Sequence, residues 1–283
     1  MNVSSTLTRL ARELQAPPPS SPKVWSFTQV QESEIADLPS LEELLKTIDD
    51  RRFGSSHFRL YKDGYRVPAD PLTSQPKYRE SRYGFVASAE LRDSLSAGHT
   101  VGVDHVELLV PGIKVLRDAL STALPAWVHV NAYLAGGTAQ GLPTHSDTHD
   151  VIALQLAGRR DWRLFTQDGE VNLTLERGAA LAMRRGLRHA AYHEDRKGRR
   201  DVSLHLAIGI VRPRVSHIVS SALRSMTERD PALNVEAPLS GTPEDMARFL
   251  EMCSQLASSW VQESSAHLDS SSLLALRREP WME

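Results

Sequence analysis

The chain has 283 residues, with 33 Lys and Arg against 35 Asp and Glu and a formal net charge of -2. A single core stops growing near ~250–300 residues, so this length suits one large domain with appendages. At 41% hydrophobic and 24% charged the composition is that of a globular protein, which excludes disordered and fibrous classes. No apolar run reaches the ~20 residues that span a bilayer, and the balanced charge argues against extended nucleic-acid binding. The N-terminus lacks the long apolar core of a secretory signal. The single cysteine, Cys253, excludes an internal disulfide framework and a cysteine-based zinc site, and fits a reducing cytoplasm.

Residues 1–22 read as an N-terminal arm. Thr6 to Leu14 are spaced for one amphipathic helix, which PPPSSP then ends. Ser40 to Asp50 carries a capping box, Ser40 with Glu43, ahead of Leu41, Leu44, Leu45 and Ile48 at helical spacing. FRLYKDGYRV (58–67) reads as a hairpin turning at Asp63-Gly64. VDHVELLV (103–110) reads as a short strand, and PGIKVLRDALSTAL as a helix opened by Pro111 and closed near Pro125. From 127 to 212 the chain changes character. WVHVNAYL, DVIALQL, WRLF, VNLTLE, AALAM and VSLHLAIGIV are short strand patterns separated by Gly-rich or charged turns, as in a sandwich or barrel of the jelly-roll kind. After Pro213 the pattern is helical again. Thr242-Pro243-Glu244-Asp245 starts a helix whose apolar face holds Met246, Phe249, Leu250, Cys253, Leu256 and Trp260.

Six of the eleven histidines lie between His129 and His205. Such a cluster can be no more than partly buried core histidines; His145-Ser146-Asp147 gives it a chemical meaning. Residues i and i+2 of a strand share a face, so both side chains can converge on one ion. Two histidines and a carboxylate make the facial triad of non-haem Fe(II) oxygenases. His189, at the end of GAALAMRRGLRH, is the candidate third ligand, with His193 and His205 as rivals. His193 sits in a charged turn. His205 shares a small, polar strand face with Ser203, Ala207 and Gly209, which suits a barrel lumen. His149 stands near the mouth of the same site.

Alternation after the Gly158-Arg159 turn puts Arg160, Trp162 and Leu164 on one face. Trp162 is expected inward, and Arg160 with it. A buried guanidinium needs an anionic partner, either a structural glutamate or a ligand carboxylate held bidentately. His129, Asn131 and Tyr133 share one face of the preceding strand and offer neutral hydrogen bonds to the same ligand.

The stretch NAYLAGGTAQGLPTHSDTHDVIALQLAGRRDWRLF (131–165) resembles the ribosomal-oxygenase branch of the JmjC-type, cupin-fold 2-oxoglutarate oxygenases. Shared elements are Asn with an aromatic two residues on, a Gly-rich loop, H-x-D, an aspartate-led apolar strand with Gln, and a G-[RK]-[RK]-x-W-R turn. GAALAMRRGLRH resembles the segment that ends on the distal metal ligand. Weaker similarity runs back through FRLYKDG, so that about residues 57–212 are covered. The acid and proline around the family's distal turn are replaced here by Ala179, Arg184 and Arg185.

The resemblance implies a mainly β fold with α appendages: a double-stranded β-helix (cupin/jelly-roll) core, N-terminal α/β elements and C-terminal helices. It divides the chain into a 1–22 arm, a 23–212 JmjC/cupin-like catalytic domain and a 213–283 helical region suited to dimerisation. By the same resemblance His145, Asp147 and His189 would bind Fe(II), and Arg160 would hold the far carboxylate of 2-oxoglutarate. Asn131, Tyr133 and the lumen residue His205 would line the cosubstrate pocket. No side-chain catalyst beyond the metal site is required. The implied reaction is hydroxylation of a side chain in a peptide or protein, with succinate and CO2 as coproducts, by a cytoplasmic homodimer that binds neither membrane nor extended nucleic acid. Alternatives are a hydroxylase of a free amino acid or small natural product, or a non-catalytic cupin-fold binding protein. Arg184, Arg185, Arg188, Arg196, Lys197, Arg199 and Arg200 form a basic concentration expected beside the mouth, either a solvated turn or an attractor for an acidic peptide.

Overall fold

The computed structural model describes residues 5–16, 24–51, 54–69, 72–74, 85–137, 140–192, 202–212 and 242–265. The chain divides into two compact units, residues 1–124 with 128–211, and residues 125–127 with 212–283.

The first unit begins with helix α1 (Ser5–Gln15), which buries Leu7, Leu10, Ala11 and Leu14 and packs on the segments Ala179–Met183, Asp150–Ala157 and Pro111–Ala123. There follow β1 (Trp25–Gln29), the single turn α2 (Glu32–Ile35) and α3 (Leu41–Arg51). The capping box forms as spaced: the Ser40 amide donates to the Glu43 carboxylate at 2.8 Å, and the Glu43 amide returns to Ser40 Oγ at 3.3 Å. Strands β2 (Phe58–Lys62) and β3 (Tyr65–Val67) make the hairpin, with Asp63 at φ 51° and Gly64 at φ 82°. Two positive φ values in succession are what a two-residue turn between twisted strands demands, and glycine adopts one of them without strain.

A short pair, β4 (Thr73–Ser74) and β5 (Phe85–Val86), precedes α4 (Ser88–Ser96) and β6 (Thr100–Val103). Here the structure corrects the sequence reading. The strand is TVGV, and VDHVELLV becomes a left-handed turn at His105 (φ 53°) and a 3-10 turn over Val106–Leu108. The cause is a buried carboxylate. Glu107 accepts the Val130 amide at 3.0 Å, which an extended segment could not arrange while also burying Val106, Leu109 and Val110. Helix α5 (Pro111–Ala123) follows with proline in its first turn.

The remaining strands are β7 (Trp127–Ala135), β8 (Asp150–Ala157), β9 (Arg160–Thr166), β10 (Gly169–Leu175), β11 (Ala179–Met183), β12 (Arg188–Tyr192) and β13 (Ser203–Val211). The larger sheet runs β1-β11-β8-β13-β7-β6-β2-β3 and the smaller β10-β9-β12. An isolated antiparallel bridge between His145 and His189 extends the smaller sheet by one chain. From β7 onward the chain therefore alternates between sheets: β7 large, the His145 segment small, β8 large, β9 and β10 small, β11 large, β12 small, β13 large. The pairings β1–β11, β11–β8, β8–β13, β6–β7, β9–β10 and β9–β12 are antiparallel. This winding is a double-stranded β-helix, the jelly-roll core expected. Its interior joins Val151, Ala153, Leu181 and Met183 of one sheet to Trp162, Leu164 and Leu175 of the other.

The second unit contributes α6 (Pro243–Ser265), capped by Thr242 Oγ1 accepting the Asp245 amide at 3.3 Å. Met246 and Leu250 are 41% and 59% exposed, and Cys253 is exposed. The Leu256 and Trp260 side chains lie outside the described residues, as do His193 and the run 196–200. Among the described residues no helix is long and apolar enough to cross a membrane.

Arg184, the first residue after β11, donates from both terminal nitrogens to the carbonyls of Glu13, Leu14 and Ala16, closing the C-terminal end of α1. Cations favour helix C-termini for this reason. We expect Leu10→Ala to cost about 2–5 kcal/mol and Arg184→Ala about 1–3 kcal/mol in urea denaturation. Wild-type stability in both variants would show that α1 is not anchored as described.

Candidate metal centre

His145, Asp147 and His189 meet where the bridged chains run side by side. The amide of His145 donates to the His189 carbonyl at 3.0 Å, and the reverse bond is 2.8 Å. The backbone pairing thus fixes two residues 44 positions apart before any side chain is considered. Each imidazole is then held by its own local chain: His145 Nδ1 lies 2.9 Å from the Pro143 carbonyl and His189 Nδ1 2.9 Å from the Leu187 carbonyl. A carbonyl only accepts, so both Nδ1 atoms carry the proton and both Nε2 atoms present lone pairs. Those Nε2 atoms stand 3.7 and 3.6 Å from the two carboxylate oxygens of Asp147. The three ligand atoms lie within 4.8 Å of one another, and among the described residues no other such group occurs. Burial, opposed by the Leu187 carbonyl and assisted by the neighbouring His145, lowers the His189 pKa and so keeps its lone pair available.

The donors open into a cavity of ≈ 330 Å³. Its floor is the larger sheet, whose inward residues form an ordered series. Tyr133 stacks on His205 with ring centroids 5.3 Å apart, Asn131 and Ala207 follow, and His129 then stands against Gly209. A Cβ on Gly209 would lie 2.2 Å from His129 Cε1, so the glycine makes the space that the imidazole fills. Two further rings stand near His129 from outside the strands, His149 at 5.0 Å and His105 at 5.8 Å.

Arg160 enters from β9 as alternation required, beside inward Trp162. It is 2% exposed, the largest fully buried side chain among the described residues, and its Nη2 donates to the Ala191 carbonyl at 3.3 Å. Burial lowers its pKa to about 10, with Asp161 opposing, so the group stays charged at neutral pH. Burial, reinforced by the Arg160 charge, pushes His205 down to about 3 and leaves it neutral. Five buried polar atoms of residues lining this cavity have no hydrogen-bond partner among the described residues: Arg59 Nε, Arg160 Nε, Trp162 Nε1, His205 Nδ1 and Thr100 Oγ1. Native interiors rarely tolerate this, and a polar ligand with several acceptor atoms satisfies it.

All seven residues singled out in the sequence therefore line one cavity. Asn131 does so with its oxygen committed, accepting the His105 amide at 3.0 Å, which leaves the NH2 end to offer. Two polar lining residues were not anticipated, Arg59 and Thr100. Arg59 donates to Asp104 and, at 3.1 Å, to the Tyr133 hydroxyl. Burial opposes its charge, but Tyr133 and Asp104 together raise its pKa. Both residues reach the cavity only because β6 pairs with β7 and β2 with β6, which no local pattern announces. Of the basic concentration, Arg184 is spent on α1 and Arg188 stacks over Phe165 at 5.2 Å, while Arg196, Lys197, Arg199 and Arg200 lie outside the described residues.

Residues 111–173 match the JmjC domain family. The match overlaps the stretch 131–165 on which the JmjC-type resemblance was read. Among curated proteins, the bifunctional lysine-specific demethylase and histidyl-hydroxylase NO66 of Brugia malayi is 22% identical over 216 residues, 66% of this chain and 29% of that protein. The protein of that name from Dictyostelium discoideum is 36% identical over 97 residues, 27% of this chain and 19% of its own. The chain thus spans under a third of the length of these relatives. The Escherichia coli ribosomal oxygenase YcfD, solved with cobalt and 2-oxoglutarate, aligns over 83% of this chain and 63% of its own at 18% identity and a TM-score of 0.49.

Two measurements test this site. His145→Ala, Asp147→Ala and His189→Ala should each weaken Fe(II) or Mn(II) binding at least a hundredfold in calorimetry while leaving the circular dichroism unchanged, and His205→Gln should not. The second is pH-dependent stability. His129 is pushed down to about 3 by burial, then by His149, His105 and Arg59, and His205 likewise by burial and Arg160. Below pH ~6.5 the unfolded chain takes up protons that the folded one refuses, so stability is full above that pH and falls as pH drops toward 3. Each imidazole adds a slope of about 1.4 kcal/mol per pH unit, and His205→Gln should remove one such increment between pH 6 and 4. An unchanged slope would mean that His205 titrates freely in the fold.

Proposed function

We propose that this protein is a 2-oxoglutarate-dependent oxygenase that uses Fe(II) and hydroxylates a side chain in a peptide or protein. The observation that carries the reading is the burial of Arg160, charged and short of hydrogen bonds, in the same cavity as a two-histidine, one-carboxylate donor set. A structural glutamate partner for Arg160 is not found among the described residues. A dicarboxylate that reaches from the donor set to the guanidinium answers both the orphaned charge and the open face of the triad. When bound, Fe(II) with 2-oxoglutarate and O2 supplies the oxidising chemistry, and succinate and CO2 leave as coproducts.

The work of the protein is positioning. Pro143 and Leu187 carbonyls hold the imidazoles in the tautomer that leaves Nε2 free to ligate. Arg160 holds the far carboxylate by a planar fork, while Trp162, Val151 and Met183 keep water from the reacting end. His205 and Tyr133, the latter pushed up to about 12 by burial, remain neutral at working pH and add no competing charge. No side chain is needed as a general base. The His129 and His149 end of the cavity, farthest along the strands from Tyr133 and His205, is where a substrate side chain would enter. A protein substrate is supported by the curated relatives, which are described as acting on lysine and histidyl residues. A homodimer through α6, supported by the exposure of Met246 and Leu250, and a cytoplasmic location, supported by the single cysteine, belong to the same reading.

Purified protein with Fe(II) and 2-oxoglutarate should form succinate, and candidate peptides should gain one oxygen atom by mass spectrometry. Arg160→Ala should raise the 2-oxoglutarate requirement about tenfold to a hundredfold, and Arg160→Lys less, since it keeps the charge and loses the fork. An unchanged requirement in Arg160→Ala would sink the anchor; oxygenation only of free amino acids would replace the protein substrate while sparing the oxygenase.

A further inference from the structure

Asp150 opens β8 opposite Ile210 of β13 and is 2% exposed, a buried carboxylate outside the lining of the metal cavity. Its Oδ1 accepts the Arg185 amide at 2.9 Å, and its Oδ2 accepts the Gln15 side-chain amide at 3.4 Å. One residue on, the Gly186 amide donates to the Asp147 carbonyl at 2.9 Å. Two successive amides of one turn are thus tied to the segment that carries Asp147, and Asp150 supplies the side chain in that pair of bonds. The turn is tight: the Leu187 amide returns to the Arg184 carbonyl at 3.2 Å, with Gly186 at φ 84°, a value that a turn of this kind reserves for glycine. It delivers the Leu187 carbonyl to His189 Nδ1 at 2.9 Å. On its other side Arg184 holds the last carbonyls of α1, the helix to which Gln15 belongs. Strand β8 is already held by β11 and β13, so a buried charge at its first residue is not needed to keep it in place. Such a charge is costly, and a carboxylate that accepts backbone amides fixes them more firmly than a neutral group does.

We propose that Asp150 is a positioning residue for the metal centre: its carboxylate sets the separation of the Asp147 segment from the turn that delivers His189, and so couples metal binding to the docking of α1. This rests on the reading of His145, Asp147 and His189 as metal ligands. The two histidines are spaced by their own reciprocal backbone bonds, whereas Asp147 is referred to His189 through the turn. The coupling is reciprocal. Whatever factor in metal affinity is lost when α1 comes away, the bound metal adds to the docking of α1.

Full-length protein titrated with Mn(II) by anaerobic calorimetry, well below its Tm, tests this without turnover. Asp150→Ala should weaken Mn(II) binding roughly tenfold or more. Asp150→Asn, which keeps an oxygen for the Arg185 amide, should recover most of the loss. Leu44→Ala, a core change in α3 where that helix packs on α4, should lower the Tm and leave Mn(II) affinity at the wild-type value. In wild type, saturating Mn(II) should slow amide hydrogen exchange several-fold more in α1 than in α3, and Arg184→Ala should lose that difference. Wild-type affinity in Asp150→Ala, an equal loss in Leu44→Ala, or α1 exchange indifferent to Mn(II) overturns the proposal. Should Asp150→Ala not fold, the exchange measurement on wild type decides alone. His189→Ala separates the two ideas. If it loses Mn(II) while Asp150→Ala keeps it, only the role of Asp150 is wrong; if wild type and His189→Ala bind alike, or neither binds, the metal-centre reading falls as well.

Discussion

A guanidinium withdrawn almost completely from water, with one long hydrogen bond to a carbonyl, is expensive to maintain, and the surroundings of Arg160 are arranged around that expense. Asp161 beside it offsets part of the desolvation from the next position of β9. His205 stays neutral next to it. Gly141 stands back from its terminal nitrogen. Removing a partner from a buried charge typically costs more than the pair contributes, so the fold is committed to meeting this charge with something. The site is better understood as an interior built short of one anion than as a pocket that happens to contain an arginine.

The donor triad is set by a different kind of constraint, and a more local one. Two carbonyls, each two residues before its histidine, choose the tautomer. Two reciprocal backbone bonds choose the spacing of the chains. Neither depends on the charge at Arg160, so the metal end and the anion end of the cavity are specified independently and joined by the strands that carry both. Trp162 touches the rings of His189 and His205 and is the most direct packing link between them.

What was legible in the sequence was whatever repeats with a fixed local period or a fixed local partner. Alternation turned Arg160 inward with Trp162, capping chemistry started α3 at Ser40, and Asp63-Gly64 turned the hairpin. What escaped were consequences of pairing between distant segments. Thr100 and Arg59 face the cavity because of where β6 and β2 dock, and their own neighbours in sequence say nothing of it. VDHVELLV alternates too little to be distinguished from a strand, and the buried Glu107 that folds it into a turn accepts its hydrogen bond from Val130, on another element. His189 belongs to β12, a strand of only five residues whose polar ends hide its periodicity. Arg184 read as part of a basic surface because its true partners lie at the other end of the chain.

That last contact has a mechanical meaning. The turn from Arg184 to Leu187 leads directly into His189, and it is gripped on three sides. Arg184 holds the end of α1, the Arg185 amide donates to Asp150 at 2.9 Å, and the Gly186 amide donates to the Asp147 carbonyl at 2.9 Å. Gln15 reaches the other oxygen of Asp150 at 3.4 Å. The N-terminal helix is therefore a clasp on the loop that aligns two of the three candidate ligands. About 170 residues of chain separate this clasp from the turn that it holds, so the alignment of the two donors is a long-range property of the fold.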